Sequence, residues 1–232
     1  MLLCYITDRR QFPGDEAARR HHLLEKIAEA SRAGVDLVQL RERDLCARDL
    51  EELAREAVRA VRENPVCSGS SAGNPLGSFR RTATRILINS RLDIALASGA
   101  DGVHLRSDDI SPADVRLLET GNRKLETAGR SLISTACHSS ADIARARAEG
   151  ADIALFAPVF EKSGTPGVGL AALQEACQAA EGMPVLALGG VTVEKVRACL
   201  EAGATGIAAI RLFQENDAAE VAAALRQLRV AS

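Results

Sequence analysis

The chain has 232 residues, of which 47% are apolar and 26% charged, and its formal net charge is −2 at pH 7. This length suits one α/β barrel, and the near-neutral charge argues against a surface built to bind nucleic acid. Aromatic residues make up only 3%. The core must therefore be aliphatic, and few side chains are left to stack on bases.

The beginning of the chain, residues 1–8, is a short apolar run that ends in an acid. It lacks the basic leader and the long apolar centre of a signal peptide, and no window is apolar enough to span a membrane. The six cysteines form no CxxC pair, which is typical of reduced thiols. We expect a cytoplasmic protein without nucleic-acid or membrane partners, and leave open whether it is a monomer or a homodimer.

A short motif that begins with glycine recurs four times, each time after an Ala-rich segment and before an apolar run. Its glycines are Gly34, Gly99, Gly150 and Gly203. Glycine at such a place predicts a left-handed helix end, and the apolar run predicts a buried strand. The last two intervals are each about 50 residues, the length of two βα units. The first is longer because it contains residues 64–78, which we interpret as a surface insertion.

Four more apolar runs lie between the marked strands, at residues 3–7, 85–89, 132–137 and 185–189. Helical patterns follow the strands, with starts at Ser111-Pro112 and Thr192 and a last helix over 217–230. The chain is therefore predicted to form one parallel (β/α)₈ barrel domain over residues 1–232. The alternative is an open, doubly wound sheet, which the four-fold recurrence disfavours.

In such a barrel the active site lies at the carboxyl ends of the strands. The second strand is predicted to run on through Gln39, Arg41 and Arg43, which strand alternation would place on one face. Because the arginine fork suits anionic oxygens, these three residues predict an anion-binding row. The alternative is that Glu42 and Arg43 are a solvated strand end.

Polar residues also follow the third, fourth and fifth strands. Asn89 could hold a ring nitrogen or cap the next helix. Asp108 and Asp109 could bind a hard cation or cap a helix, with the cation role favoured for Asp109 and the cap for Asp108. His138 is a candidate for proton transfer near neutral pH, whereas His104 lies within a strand and is expected to be structural.

The last three loops predict a phosphate site. The loop after the sixth strand contains Lys162 as a cation and Gly167, where the backbone can approach a ligand closely. Gly189 and Gly190 follow the seventh strand and Arg211 follows the eighth. Loops after the last two strands are the usual phosphate cradle of these barrels, through backbone amides and a helix start.

Six segments together resemble the thiamine phosphate synthase and thiazole tautomerase family. They are residues 5–9, 38–43, 87–93, 99–105, 157–160 and 187–191, in the family's order. The resemblance implies a barrel that handles a thiazole phosphate. The family's synthase joins this molecule to a pyrimidine pyrophosphate with the help of Mg²⁺, and its tautomerase aromatises a thiazole phosphate carboxylate by moving a proton.

The resemblance also implies a role for each candidate residue. Gln39 and Arg41 would face the pyrimidine pyrophosphate, and Asn89 would contact the pyrimidine. Asp109 would bind Mg²⁺, and His138 would be the proton shuttle of a tautomerase. The thiazole phosphate would lie against the loops after the last three strands.

Four positions depart from the synthase pattern. Ser90 stands where a second metal-binding Asp is expected, and Arg43 stands where Lys is usual. Ala136 and Arg211 each replace a Ser. Losing one of two carboxylates should weaken Mg²⁺ binding, and pyrophosphate then leaves slowly without charge compensation.

Three hypotheses follow. The favoured one is a tautomerase without a metal, in which His138 moves the proton. The alternative is a synthase in which Asp109 and Asp108 hold Mg²⁺ while Arg43 and Lys162 bind pyrophosphate. The third is a regulatory barrel without catalysis that binds thiazole or thiamine phosphate.

Overall fold

The computed structural model describes residues 1–65, 83–120, 130–161, 164 and 166–228. Eight parallel strands form a closed barrel in chain order, and the first strand pairs with the eighth. The strands are β1 (Leu2–Ile6), β2 (Leu37–Leu40), β3 (Arg85–Asn89), β4 (Gly102–Leu105), β5 (Leu132–Cys137), β6 (Ile153–Phe156), β7 (Val185–Ala187) and β8 (Gly206–Ala209). The predicted (β/α)₈ barrel is confirmed, because the pairing of β1 with β8 closes the ring and excludes an open sheet.

Helices follow the strands around the outside of the barrel. They are α1 (Glu16–Arg32), α2 (Ala47–Glu63), α3 (Leu92–Ser98), α4 (Pro112–Thr120), α5 (Ser140–Ala148), α6 (Gly169–Ala179), α7 (Val193–Glu201), α8 (Arg211–Gln214) and α9 (Ala218–Gln227), with a short 3₁₀ turn at Arg9–Gln11. The predicted start of α4 is confirmed, since Ser111 Oγ accepts the backbone N–H of Asp114 at 3.1 Å. Within the described ranges, no helix is long and apolar enough to cross a membrane.

Two strands end earlier than the sequence predicts. β2 ends at Leu40, and the next backbone N–H, that of Arg41, donates to Thr7 Oγ1 at 3.0 Å. β7 ends at Ala187, and Gly189 and Gly190 behind it have φ angles of +96° and +61°, which a strand does not allow. Of the predicted insertion over 64–78, residues 66–78 lie outside the described residues, so the insertion stays a prediction.

The interior of the barrel is aliphatic, as the composition requires. Side chains that alternate along the strands fill it, namely Leu2, Cys4, Ile6, Leu37, Leu87, Leu132, Ile153, Leu155, Leu186 and Ala208. The intervening strand residues pack against the helices. Burial raises the pKa of the Cys4 thiol to about 12, so this cysteine acts as a small apolar side chain. The five cysteines in the described part of the chain are all free.

The four-fold repeat marks the start of every even-numbered strand. Its glycines have left-handed φ angles between +69° and +99°, at Gly34, Gly99, Gly150 and Gly203. The predicted helix ends are therefore confirmed. Only glycine adopts this conformation without strain, which explains why the residue recurs at the same place.

The residue two positions after each of these glycines accepts a hydrogen bond, through its side chain, from a backbone N–H of the preceding strand. The contacts run from Leu3 N to Asp36 Oδ2 at 2.9 Å, from Ile86 N to Asp101 Oδ2 at 2.8 Å, from Ile133 N to Asp152 Oδ2 at 2.8 Å and from Val185 N to Thr205 Oγ1 at 3.4 Å. Each bond satisfies a backbone donor at the edge of the barrel. The repeat therefore helps to fix the register between β1 and β2, β3 and β4, β5 and β6, and β7 and β8.

Replacing Asp101 by Ala removes the acceptor for Ile86 N–H, and we expect a loss of about 1 kcal/mol in the free energy of unfolding. Urea denaturation measures this loss. Asp101→Asn keeps an acceptor oxygen and should retain most of the stability. Equal destabilisation by both substitutions would show that this hydrogen bond does not tie the strands.

Candidate active site

The carboxyl ends of the strands form one edge of the barrel, which we call the rim. Four polar side chains lie inside the barrel near this rim. Gln39 Nε2 donates to Asn89 Oδ1 at 2.9 Å, and His104 Nδ1 lies 2.8 Å from Ser134 Oγ. Asn89 is the last residue of β3 and lies opposite His104 on β4, so it does not cap the next helix. These residues replace the aliphatic interior with a polar layer below the rim.

One atom of this layer lacks a partner. Among the described residues, Gln39 Oε1 is buried and accepts no hydrogen bond. A buried acceptor without a donor is rare in native proteins, since it is costly. This carbonyl oxygen is therefore a natural place for an N–H group of a ligand.

His104 in the same layer is neutral. Burial, with the charge of Arg41 adding to it, lowers the pKa of His104 to about 3. His104 therefore stays unprotonated at neutral pH and bonds to Ser134, and its structural role stays a prediction.

A cavity of about 490 Å³ that is lined by three arginines and three carboxylates lies on the rim beside β1 and β2. It is lined by Asp8, Arg10, Arg41, Glu42, Arg43 and Asp44. Burial lowers the pKa of Arg41, and the neighbouring charge of Arg43 lowers it further. Two guanidinium groups held this close disfavour each other's charge, and an anion between them relieves that repulsion.

The buried carboxylate of Glu42 holds this cavity in place. It is only 4% exposed, and it accepts hydrogen bonds from Thr7 Oγ1 at 2.6 Å and from the Arg9 backbone N–H at 3.0 Å. Thr7 Oγ1 in turn accepts the N–H of Arg41. The position of Arg41 therefore depends on Glu42, and the alternative of a solvated strand end is wrong for Glu42.

Arg9 completes this network as the cation that faces Glu42. Its side chain is 4% exposed and lies 3.2 Å from Glu42, 2.7 Å from Asp44 and 2.6 Å from Glu16. Asp44, with Glu16 and Glu42, raises the pKa of Arg9 well above its ordinary value. Burial raises the pKa of Glu42, and hydrogen bonds from Thr7 and Arg9 offset part of that rise. Sequence reasoning gave Arg9 no role; its available signal was its place after β1, which pairs with β2.

The two acids after β4 are engaged by Arg106. Asp109 Oδ2 accepts the backbone N–H of Arg106 at 2.7 Å, and Asp109 Oδ1 lies 4.0 Å from Arg106 Nε. Asp108 forms an ion pair with the same guanidinium. Asp108 is not a helix cap, so that expectation is wrong; Ser111 has the capping role instead.

His138 lies on the rim after β5 and is exposed. Its Nδ1 is 2.7 Å from the carbonyl oxygen of Ala157. A carbonyl only accepts, so Nδ1 carries the hydrogen and Nε2 is left as the basic nitrogen. The next residue, Ser139, caps α5 by accepting the N–H of Asp142 at 3.1 Å.

A second, smaller cavity of about 60 Å³ lies on the neighbouring part of the rim, after β7 and β8, because β8 pairs with β1. It is lined by Leu188, Gly189, Gly190, Val191, Ala208, Ala209, Ile210, Arg211 and Leu212. A Cβ on Gly190 would lie 2.5 Å from the Glu161 carbonyl oxygen, and one on Gly189 would lie 2.8 Å from Pro158 Cα. Both positions therefore require glycine.

The loop after β6 closes against the same region. A Cβ on Gly167 would overlap the backbone of Val159 and Phe160, so close packing alone explains this glycine. Its role toward a ligand stays a prediction. Lys162 lies outside the described residues, and its predicted role stays a prediction as well.

The structure groups the predicted site residues into three clusters and two separate positions. The clusters are Gln39 with Asn89, Arg41 with Arg43, and Gly189 and Gly190 with Arg211. Asp109 and His138 each stand apart on the rim. All of these residues lie at the carboxyl ends of the strands, as the barrel requires.

The sequence was compared with known families and proteins. The family model described as thiamine monophosphate synthase matches residues 77–213. A putative thiamine-phosphate synthase of Geobacter sulfurreducens is 39% identical over 232 aligned residues, which cover 97% of this chain and 93% of that one. The chain belongs to the thiamine-phosphate synthase family. Another relative in this family, the thiamine-phosphate synthase of Methanoculleus marisnigri, is 36% identical over 216 residues, 91% of this chain and 87% of its own.

Solved structures with this barrel fold are also similar to the chain. The thiamine phosphate pyrophosphorylase from Pyrococcus furiosus superposes with a TM-score of 0.73 at 24% identity, and covers 98% of this chain and 94% of its own. A 3-hexulose-6-phosphate synthase superposes with a TM-score of 0.62 at 18% identity, over 98% and 97% of the two chains. At these identities the likeness shows the barrel alone.

These matches support an enzyme of thiamine biosynthesis, and they fit the synthase alternative better than the favoured tautomerase. The preference for a tautomerase came from the four departures from the synthase pattern, above all from Ser90, considered one position at a time. Similarity to synthases over nearly the whole chain outweighs those departures.

Replacing Glu42 by Ala should lower the free energy of unfolding by about 3 kcal/mol, because it leaves the buried donors of Thr7 and Arg9 without their acceptor. Urea denaturation measures this loss. Glu16→Ala is the matched control, since Glu16 contacts the same arginine but is 58% exposed, and it should cost less than about 1 kcal/mol. An equal loss in the two variants would contradict the role assigned to Glu42.

Proposed function

We propose that this chain is a thiamine-phosphate synthase that joins a hydroxymethylpyrimidine pyrophosphate to a thiazole phosphate. In this reaction the bond between the pyrimidine methylene carbon and the pyrophosphate oxygen breaks. A bond from that carbon to the thiazole nitrogen forms, and pyrophosphate leaves. The observation that carries the proposal is the presence of two separate cavities on one rim, one that contains three arginines and one that contains two glycines and Arg211, because a synthase holds two phosphorylated substrates and a tautomerase holds one.

The larger cavity suits the pyrophosphate. Arg41 and Arg43 line it together with Arg10, and guanidinium groups bind phosphate oxygens through paired N–H donors. Charge builds up on the leaving pyrophosphate as the carbon–oxygen bond breaks. Fixed cations at that place stabilise the transition state more than the ground state.

The polar layer below the rim suits the pyrimidine ring. Gln39 and Asn89 are hydrogen-bonded to each other, and Gln39 Oε1 is left as a buried acceptor among the described residues. An amino group on a flat heterocycle supplies the N–H donor that this oxygen lacks. The ring would then lie next to Arg41, with its pyrophosphate in the larger cavity.

The smaller cavity suits the phosphate of the thiazole. Its glycines have no side chain that would screen their backbone N–H groups from a ligand, and Arg211 adds a cation beside them. Binding at this place would present the thiazole ring towards the centre of the rim. Gly167, in the loop that closes on this region, is proposed to help shape the site, and Lys162 is proposed to add a cation.

The family resemblance implies Mg²⁺, which would supply positive charge to the leaving pyrophosphate. Asp109 and Asp108 are the predicted ligands, and both already face the guanidinium of Arg106. Ser90 has no carboxylate to add. Among the residues that the structure describes, no three His, Cys, Asp or Glu side chains gather where they could hold a metal ion. The described residues therefore offer Mg²⁺ at most the two carboxylates that Arg106 already engages, and phosphate oxygens and water would have to supply its other ligands.

The proposed partners are the two phosphorylated heterocycles, and the proposed location is the cytoplasm. The free thiols support this location, because cysteines stay reduced in that compartment.

The direct test is the formation of thiamine phosphate from the two substrates. Arg41→Gln should lower kcat/KM for the pyrimidine pyrophosphate by about 10- to 100-fold, because it removes a charged contact to phosphate. Arg48→Gln is the matched control: Arg48 is 85% exposed on α2, and its loss should leave kcat/KM unchanged. Steady-state kinetics of the purified variants measures both values.

His138→Asn separates the synthase from the tautomerase. A synthase should keep its rate within about two-fold, whereas a tautomerase would lose its proton shuttle and its turnover. Absence of thiamine phosphate, together with His138-dependent aromatisation of the thiazole phosphate carboxylate, would contradict the proposed function.

A further inference from the structure

Arg106 follows β4 and has no part in the function proposed so far. Its place on the rim is set by the register of three neighbouring strands. Asn89 on β3 lies opposite His104 on β4, two residues before Arg106, and Gln39 on β2 lies opposite Leu87 on β3. Arg106 and the arginines after β2 therefore flank the end of β3, where Ser90 stands in place of a carboxylate.

The guanidinium of Arg106 is held by weak contacts. Its side chain is 40% exposed, and the Asp108 carboxylate that pairs with it is 67% exposed. Exposed ion pairs of this kind contribute little. Arg106 Nε is buried, yet in the described part of the chain it has no hydrogen-bond partner. The group therefore has a buried donor to offer, and it can exchange Asp108 for a stronger acceptor.

The charge of Arg106 reaches Arg41 in the larger cavity. Burial and the charge of Arg43 lower the pKa of Arg41, Asp8 and Glu42 oppose this effect, and Arg106 adds a smaller lowering of its own. Three guanidinium groups from two strands thus act on one region of the rim. A multiply charged anion is the ligand that relieves this repulsion, and phosphate oxygens match the guanidinium fork.

We propose that Arg106 binds the pyrophosphate together with Arg41 and Arg43, so that three guanidinium groups provide the positive charge that a carboxylate-bound Mg²⁺ would otherwise bring. This inference rests on the proposed function, since it assigns the pyrophosphate to that cavity. It follows that the chain binds pyrophosphate without a divalent cation. Asp108 is released into solvent when the phosphate oxygens replace it.

The test is calorimetric titration of the full chain with inorganic pyrophosphate, once with a chelator and once with Mg²⁺. The wild type should bind pyrophosphate in chelator with an affinity within about three-fold of that in Mg²⁺. Arg106→Gln should weaken binding in chelator by about tenfold or more, the effect of losing one charged contact. Arg106→Lys should restore part of this loss, because it keeps the charge without the fork.

Arg91 provides a closely matched control. Arg91 also follows a strand on this rim, pairs with an Asp two residues later and is 39% exposed. Arg91→Gln should leave pyrophosphate binding unchanged. Equal affinities of the Arg106→Gln and Arg91→Gln variants, or wild-type binding that requires Mg²⁺, would overturn the inference.

A gain-of-metal variant adds an independent check. Ser90 has a φ angle of +62°, a left-handed conformation that Asp also tolerates. Ser90→Asp adds a carboxylate after β3, the neighbour of the strand that precedes Asp109, and Mg²⁺ should then tighten pyrophosphate binding at least about tenfold more than in the wild type. If Mg²⁺ gives no such gain, the residue at position 90 does not determine Mg²⁺ dependence. That result would contradict the proposal that arginines replace the metal ion.

The two proposals fail in different ways. Absence of thiamine phosphate, with pyrophosphate binding that still depends on Arg106, would refute the proposed function and support the anion site. Thiamine phosphate formation that depends on Mg²⁺ and not on Arg106 would support the function and refute the inference.

Discussion

Closing eight parallel strands into a ring forces all of their carboxyl ends onto one rim, and the rest of this structure depends on that constraint. The ring is secured at the opposite end by Asp36, Asp101, Asp152 and Thr205, each of which accepts an N–H from the preceding strand. The two ends of each strand therefore have different roles. Side chains at the start of a strand set the register, and side chains beyond its end are available for binding.

A buried ion pair fixes the loops after β1 and β2, where the proposed pyrophosphate site lies. Arg9 and Glu42 come from neighbouring loops, and both are almost fully enclosed. A buried ion pair adds little net stability, but it specifies geometry because breaking it is costly. Here the pair holds Thr7, which holds the backbone of Arg41. Arg41 and Arg43 can therefore repel each other and still stay in place, ready for an anion.

The sequence predicted the fold well because the signals for it are local. Glycine at each helix end and an apolar run behind it are readable within ten residues, as at Gly99 and Gly203. Strand ends likewise indicated Gln39, Arg41 and Asn89. The burial of Glu42 was missed, because its partners Thr7 and Arg9 lie more than 30 residues away. The engagement of Asp109 by Arg106 was missed because an acid alone gives no sign of its partner.

We propose that two anions bind on one rim, one at the arginines after β2 and one at the glycines after β7. A crystal structure of the protein with thiazole phosphate and pyrophosphate, grown with a chelator, tests this most directly. We expect one phosphate between Gly189, Gly190 and the start of α8, and a pyrophosphate in contact with Arg41, Arg43 and Arg106. A pyrophosphate held elsewhere, or one that takes the place of the thiazole phosphate, would contradict it.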